Sequence, residues 1–408
     1  MFWGNTVYSL CQWAIVVSLV KFGNVEMVGK FSLALAITGP IFMLTNLQLR
    51  AVQITDVGNG FNFSTYFSLR IYSCLLALFI SSGILLLFGY QWEIKLTIFI
   101  IGVAKAIESV SDILWGWQQK NERMDVIAKS MFLRGIVSVI SFTSVIYFTG
   151  NIVAGSLALG LSWGLALLYY DIPKRKLIKG EPKNENLFIL IRNRDQMKHI
   201  AKLIRIAVPL GIVLALISLN ANIPRYFVEY NLGEGNLGIF SALLYLMIPG
   251  NLIVNSMGQS MSPQLAKMFH EKNIAMFRNH VKKIIFVGGA VALTALFLSI
   301  LWGRELLLVI YTWEYAQQDI LLVWIMGASF FIYVSTGLGY GMTAAGYFKP
   351  QISLFVGITI LVTISNYIFL PRLGILGAVI SMLVSGFAQL VGSVWILRDI
   401  ICWPNRSL

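Results

Sequence analysis

Charged side chains are scarce in this chain: Asp, Glu, Lys and Arg make up 12% of its 408 residues, while 57% are hydrophobic and the mean hydropathy is +0.76. Soluble domains carry about a quarter charged residues, so there are too few here to coat a water-soluble globule of this length. Histidine and cysteine are sparse as well. His199, His270 and His280 all fall in basic stretches, which leaves no imidazole cluster for a metal centre inside the apolar runs. Cys11, Cys74 and Cys402 are too few and too scattered for a disulfide framework or a zinc site. The N-terminus lacks a basic n-region and a small-residue cleavage site, so Met1 to Val20 is expected to be a retained helix and not a signal peptide. A Gly-rich loop ending in Gly-Lys-Ser or Gly-Lys-Thr is also missing, so neither an ATP site nor any other cofactor is expected. Acidic residues number 18 against 31 basic ones, for a net charge of +13. In a soluble protein that excess would suggest nucleic acid. Here the basic residues sit in short segments between apolar runs, where they set membrane topology, and no nucleic-acid partner is expected.

What the chain has in abundance is apolar runs of bilayer length. A hydrocarbon core of about 30 Å needs about 20 apolar residues per helix. That template places six spans at Phe2 to Val20, Val28 to Leu49, Phe67 to Gly89, Ile94 to Trp117, Met131 to Tyr147 and Ile152 to Tyr170. Six more follow at Ile204 to Phe227, Leu237 to Gly258, Ile284 to Trp302, Ile320 to Gly341, Ile352 to Leu370 and Ile375 to Leu397. The expected fold is therefore an all-α polytopic membrane protein of about 12 transmembrane helices. Its sixth connection, Asp171 to Arg205, holds ten basic residues against four acidic ones and is expected to be cytoplasmic. Both termini should then face the cytoplasm. The expected organisation is an N-terminal six-helix lobe over 1–170, a basic cytoplasmic linker over 171–203, a C-terminal six-helix lobe over 204–400 and a cytoplasmic tail over 401–408.

The two halves are related. Laid without a gap on Leu237 to Asn255, the segment Val28 to Asn46 matches at Gly29/Gly238, Phe31/Phe240, Ser32/Ser241, Leu35/Leu244, Pro40/Pro249 and Asn46/Asn255. Coincident Gly, Pro and Asn are not background in apolar runs, which points to duplication. Six helices per repeat make both halves enter from the same side, the parallel-repeat arrangement, with a cavity expected between the lobes. Pro40 and Pro249 are expected mid-helix, either as matched gating kinks or as prolines tolerated by neighbouring packing.

Polar residues within the spans mark candidate sites, because charge in hydrocarbon is costly and must face a cavity or a partner. Lys105, Glu108 and Asp112 lie three and four apart on one face of the fourth span, continued by Trp115. Lys105 and Glu108 can neutralise each other, and Asp112 has no obvious local partner. Glu108 or Asp112 is the candidate for exchanging a proton or binding a sodium ion. Asn46 and Arg50 share a face at the end of the second span, and the repeat places Asn255 and Gln259 at the equivalent points. Ser218, Asn222, Arg225 and Glu229 follow helical spacing, with Arg225 expected to pair with Glu229. Arg70 and Arg134 sit near span ends, where they either join the cavity or snorkel to lipid headgroups. Guanidinium groups bind phosphate bidentately and stay charged. A cavity with Arg50, Arg225, Arg70 and Arg134 thus suits an anionic, phosphorylated substrate better than a cationic one.

These residues carry a family resemblance over nearly the whole chain. Lys21-Phe22-Gly23, Val28-Gly29-Lys30-Phe31-Ser32, Asn46-Leu47-Gln48-Leu49-Arg50 and Thr55-Asp56 are one part of it. Glu108-Ser109-Val110-Ser111-Asp112, Gly116, Gln118, Glu122-Arg123-Met124-Asp125 and Ser130 continue it. Gly238-Ile239-Phe240-Ser241, Ser262-Pro263-Gln264-Leu265-Ala266, Ala345-Gly346-Tyr347 and Pro371-Arg372-Leu373-Gly374-Ile375-Leu376-Gly377-Ala378 complete it. Together they resemble the Wzx-type polysaccharide-unit flippases of the multidrug/oligosaccharidyl-lipid/polysaccharide exporter superfamily. The resemblance implies an inner-membrane flippase that moves an undecaprenyl-pyrophosphate-linked oligosaccharide to the periplasmic leaflet, driven by an ion gradient through a cationic lumen. It also implies surface-polysaccharide assembly, with a polymerase and a chain-length regulator as partners. Two rivals remain. A drug or cation antiporter of the same superfamily fits the cationic residues poorly, and a membrane glycan polymerase or ligase would usually have a large periplasmic loop.

Overall fold

The computed structural model describes residues 2–56, 60–175 and 194–402. Lipid offers no hydrogen bonds to a bare backbone, so apolar runs of this length must satisfy their amides internally, and every one of them is helical. In chain order the helices are α1 (Phe2–Phe22), α2 (Val25–Asn46), α3 (Leu49–Thr55), α4 (Phe63–Leu87), α5 (Trp92–Lys120), α6 (Met124–Thr149), α7 (Ile152–Ala166) and α8 (Ile172–Arg175). They continue as α9 (Arg194–Tyr245), α10 (Ile248–His270), α11 (Ile274–Ile310), α12 (Trp313–Ala316), α13 (Asp319–Ala344), α14 (Phe348–Leu373) and α15 (Ile375–Cys402). Among the described residues nine helices are long and apolar enough to cross a membrane. α1, α5 and α10 bring the long segments to the twelve read from the sequence, so this is a multi-pass, all-α membrane protein. α5 falls outside the nine because Glu93, Lys95, Lys105, Glu108, Asp112 and Lys120 crowd it.

Two compact units result. The first comprises Met1–Gly23 and Lys30–Ser218, and the second Asn24–Gly29 and Leu219–Leu408. In the first, α1 packs along α6, and α5 is held by α3, α4 and α7. In the second, α13 packs on α11 and α15, α14 packs on α15, and α10 rests on α11 and α13. Helix ends follow local chemistry. Gly150, at φ 56°, terminates α6, and the Asn151 side chain then caps α7 by accepting from the Val153 and Ala154 amides.

Three local features depart from the sequence reading. Asp171, where the N-terminal lobe was expected to give way to the linker, is not the end of a helix: α7 continues through a π turn over Leu167–Asp171 into α8. The basic linker lies for the most part, over 176–193, outside the described residues, as do residues 403–408 of the tail. Pro40 is inside α2 as expected, whereas Pro249 occupies the first turn of α10, just after a break at Leu246–Met247. A first-turn proline has no helical hydrogen bond to lose, so it starts a segment and does not kink one. The 52-residue α9 bends at Gly233, whose φ of 81° and ψ of 177° are open essentially to glycine alone.

In the second unit the two glycines matched in sequence are both points of close approach. A Cβ on Gly29 would collide with the Glu234 carbonyl, and one on Gly238 would collide with the Val25 carbonyl. Gly29 and Gly238 are repeat equivalents, and so, in the same gapless register, are Val25 and Glu234. Each helix start thus presses its glycine onto the other's backbone. Valine at Gly29 or at Gly238 is expected to destabilise the protein by about 1–3 kcal/mol through overpacking. Alanine at Gly235, whose Cβ would meet nothing within 4 Å, is the control. Thermal unfolding in detergent checks this, and equal melting of all three variants would count against the crossing.

Candidate functional site

In the first unit, the face of α5 read from the sequence is the scaffold. Lys105 Nζ pairs with Glu108 Oε2 at 2.8 Å, and the Tyr8 hydroxyl of α1 donates to Glu108 Oε1 at 2.7 Å. One turn on, Asp112 is not alone: its partners come from other helices. Arg50 Nη1 reaches Asp112 Oδ1 at 3.1 Å from α3, and Arg70 Nη2 reaches Oδ2 at 3.3 Å from α4. Arg50 also donates through Nη2 and Nε to Gln119 Oε1, at 2.8 and 3.3 Å.

Backbone geometry aims Arg50 at α5. Leu47 and Gln48 both take left-handed φ values, 51° and 50°, and so separate α2 from α3. For residues with a Cβ this conformation costs roughly 1–2 kcal/mol each. The turn is packed from α9, where a Cβ on Gly211 would stand 3.1 Å from Leu47 Cα. Just before it, Asn46 Nδ2 donates to Ser109 Oγ at 2.9 Å, tying the end of α2 to α5. Gly116 leaves the room beyond: a side chain there would collide with Gln53 and press on Arg50 Cγ.

Beneath this face is a fully buried second cluster. Arg70, Arg134 and Asp171 are all 0% exposed, so neither arginine snorkels to headgroups. Arg134 Nη2 pairs with Asp171 Oδ2 at 3.0 Å and also donates to Ser111. Asp171 Oδ1 accepts from Ser130 and, at 3.4 Å, from Trp115 Nε1. The Trp115 ring has Arg134 at 4.9 Å and Arg50 at 5.8 Å from its centroid, a favourable cation–π arrangement for both. Trp115 therefore links the buried ion pair to the Arg50 group.

Seven of the residues expected from the sequence gather in the first unit: Asn46, Arg50, Arg70, Lys105, Glu108, Asp112 and Arg134. Arg225, Asn255 and Gln259 belong to the second unit. There Arg225 Nη1 donates to the Ala221 carbonyl at 3.1 Å and to Asn222 Oδ1 at 2.8 Å, which replace the expected Glu229. Asn255 Oδ1 accepts from the Tyr340 hydroxyl at 3.3 Å, and Gly258 leaves space for that tyrosine ring. Asp171, Gln119, Tyr8 and Tyr340 were not anticipated. Asp171 closes the run Leu-Ala-Leu-Leu-Tyr-Tyr, where an acid reads as a boundary, and only its pairing with Arg134 shows that it is interior.

No protein-family model matches the chain. A capsular polysaccharide biosynthesis protein of Staphylococcus aureus, CapF, is 27% identical over 410 residues, spanning 98% of this chain and 98% of that one. Among solved structures, an inward-facing multidrug resistance MATE family transporter of the MOP superfamily aligns with a TM-score of 0.77 at 14% identity, covering 99% of this chain and 96% of the other. The lipid II flippase MurJ in an inward closed conformation aligns at 0.76 and 12% identity, covering 97% and 86%. The resemblance to Wzx-type flippases read from the residues thus holds, and the chain has the fold of the multidrug/oligosaccharidyl-lipid/polysaccharide exporter superfamily.

Proposed function

We propose that this chain is a flippase that carries an undecaprenyl-pyrophosphate-linked oligosaccharide from the cytoplasmic to the periplasmic leaflet of the inner membrane by alternating access. The observation that carries this reading is Arg50. It sits on a strained helix break, 17% exposed, with its guanidinium held by oxygens of α5 in the way it would hold a diphosphate. A cationic drug has no use for that group. The CapF relative, similar along the whole chain, is named for capsule synthesis, and the fold accommodates lipid-linked cargo in the lipid II flippase. Arg70 and Arg134, both buried and ion-paired, hold α4 and α6 around this face, and Lys105 lies on the face itself. A proton or sodium gradient drives the cycle through Glu108 and Asp112. Both termini lie in the cytoplasm, and a polymerase and a chain-length regulator act on the product.

Deletion of the gene tests the function. Surface polysaccharide should disappear while undecaprenyl-linked units accumulate on the inner leaflet. Intact surface glycan together with sensitivity to cationic dyes would replace this reading with a drug antiporter. For coupling, Glu108→Gln and Asp112→Asn should each blunt the response of transport to an imposed gradient, and undiminished gradient dependence in both would remove these residues from that role.

A further inference from the structure

We infer that Asp112 is a built-in competitor for the anionic headgroup: in the resting protein it holds the Arg50 fork that a diphosphate must take. The inference rests on the anion reading of Arg50 given above. Two oxygens from α5 occupy opposite sides of the Arg50 guanidinium, Asp112 Oδ1 at Nη1 and Gln119 Oε1 at Nη2 and Nε. Asp112 and Gln119 are two helical turns apart, so one face of one helix presents a carboxylate and an amide oxygen in the place of two phosphoryl oxygens.

The second carboxylate oxygen makes the exchange feasible. Arg70 is 0% exposed and its ion pair is with Asp112 Oδ2. A buried guanidinium left without a counter-charge is strongly destabilising. When Arg50 turns to a diphosphate, Asp112 keeps Arg70, and no interior charge is stranded. Burial sorts the two arginines in the same way: Arg50, at 17%, is reachable, and Arg70 is not. Asp112 itself is 32% exposed, so water solvates the oxygen it gives up. Lys105 and Glu108 neutralise each other one turn away, and they leave the exchange to Asp112. A site organised in this way never presents a bare cation to the membrane. It binds its cargo more weakly than its arginine alone would, and that favours release after translocation.

The full-length protein in nanodiscs, titrated with undecaprenyl diphosphate and separately with inorganic pyrophosphate, tests the exchange. Asp112→Asn should tighten binding about tenfold, the worth of one charge-assisted hydrogen bond removed from the competition. Because Asp112→Asn leaves Arg70 uncompensated, the Arg70→Met/Asp112→Asn double variant is measured beside it and should show the same gain. Gln119→Leu, which removes a neutral competitor, should gain far less. A gain with both probes assigns the exchange to the diphosphate itself, and a gain with the lipid alone assigns it to the lipid-linked headgroup. Wild-type binding that is lost in Arg50→Ala but unchanged or weakened in both Asp112 variants overturns this inference and leaves the anion site standing. Equal binding by wild type and Arg50→Ala overturns the anion reading, and the competitor with it.

Discussion

Replacing Asp171 by alanine is expected to remove about 3–5 kcal/mol of stability. The magnitude follows from what is left behind. Arg134 is 0% exposed, and Asp171 is its ion-pair partner. Ser111 accepts one of its protons and cannot balance its charge. The same substitution takes an acceptor from Ser130 and from the Trp115 indole. Asp171→Asn should recover the hydrogen bond from Ser130 but little of the stability, because the charge is the dominant loss. An Arg134→Met/Asp171→Leu double variant should regain most of it, since an apolar pair of similar volume asks nothing of the interior. Thermal unfolding in detergent decides the matter. A double variant no better than Asp171→Ala would mean that shape, and not charge, holds α6 to the α7–α8 turn.

Arg50→Ala should reduce transport of the lipid-linked unit by about 10- to 100-fold, the range that corresponds to 1.5–3 kcal/mol for a charge-assisted hydrogen bond. Arg50→Lys should fall between, because an ammonium keeps the charge and loses the planar fork that spans two acceptors. The wild-type figure is already tempered by Asp112, which occupies Nη1 at rest, so the upper end of the range applies to an Asp112→Asn background. Stability should move little in comparison, as Arg50 is neither fully interior nor the partner on which Arg70 depends. Complementation of a deletion strain, with expression level matched, provides the readout. Full complementation by Arg50→Ala would rule out a guanidinium-held headgroup.

How much of this was legible in the amino acids depended on the range of the interaction concerned. Hydrocarbon imposes a length rule on every span, so the twelve segments could be read, and helical spacing alone put Lys105, Glu108, Asp112 and Trp115 on one face of α5. The Lys105–Glu108 pair was likewise local. Asp112 looked unpartnered because its two arginines come from α3 and α4, distant in the chain. Arg134 and Asp171 were missed as a pair for the same reason, made worse by the π turn that carries the helix past the expected boundary. Arg225 was expected to reach Glu229 one turn ahead; it turns back to Asn222 and the Ala221 carbonyl. Nothing in Leu47-Gln48 announces two left-handed residues, since neither is the glycine or asparagine that usually marks that conformation. The proline match misjudged the local shape: the same residue is interior in α2 and falls in the first turn of α10.

Because Gly29 abuts Glu234 while Gly238 abuts Val25, the two helix starts meet as identical patches do in a homodimer. Each glycine meets not the other glycine but the main chain four places before it, where no side chain can move aside to make room. Each segment answers to the other's main chain, and a larger residue at either position would pry the same crossing apart.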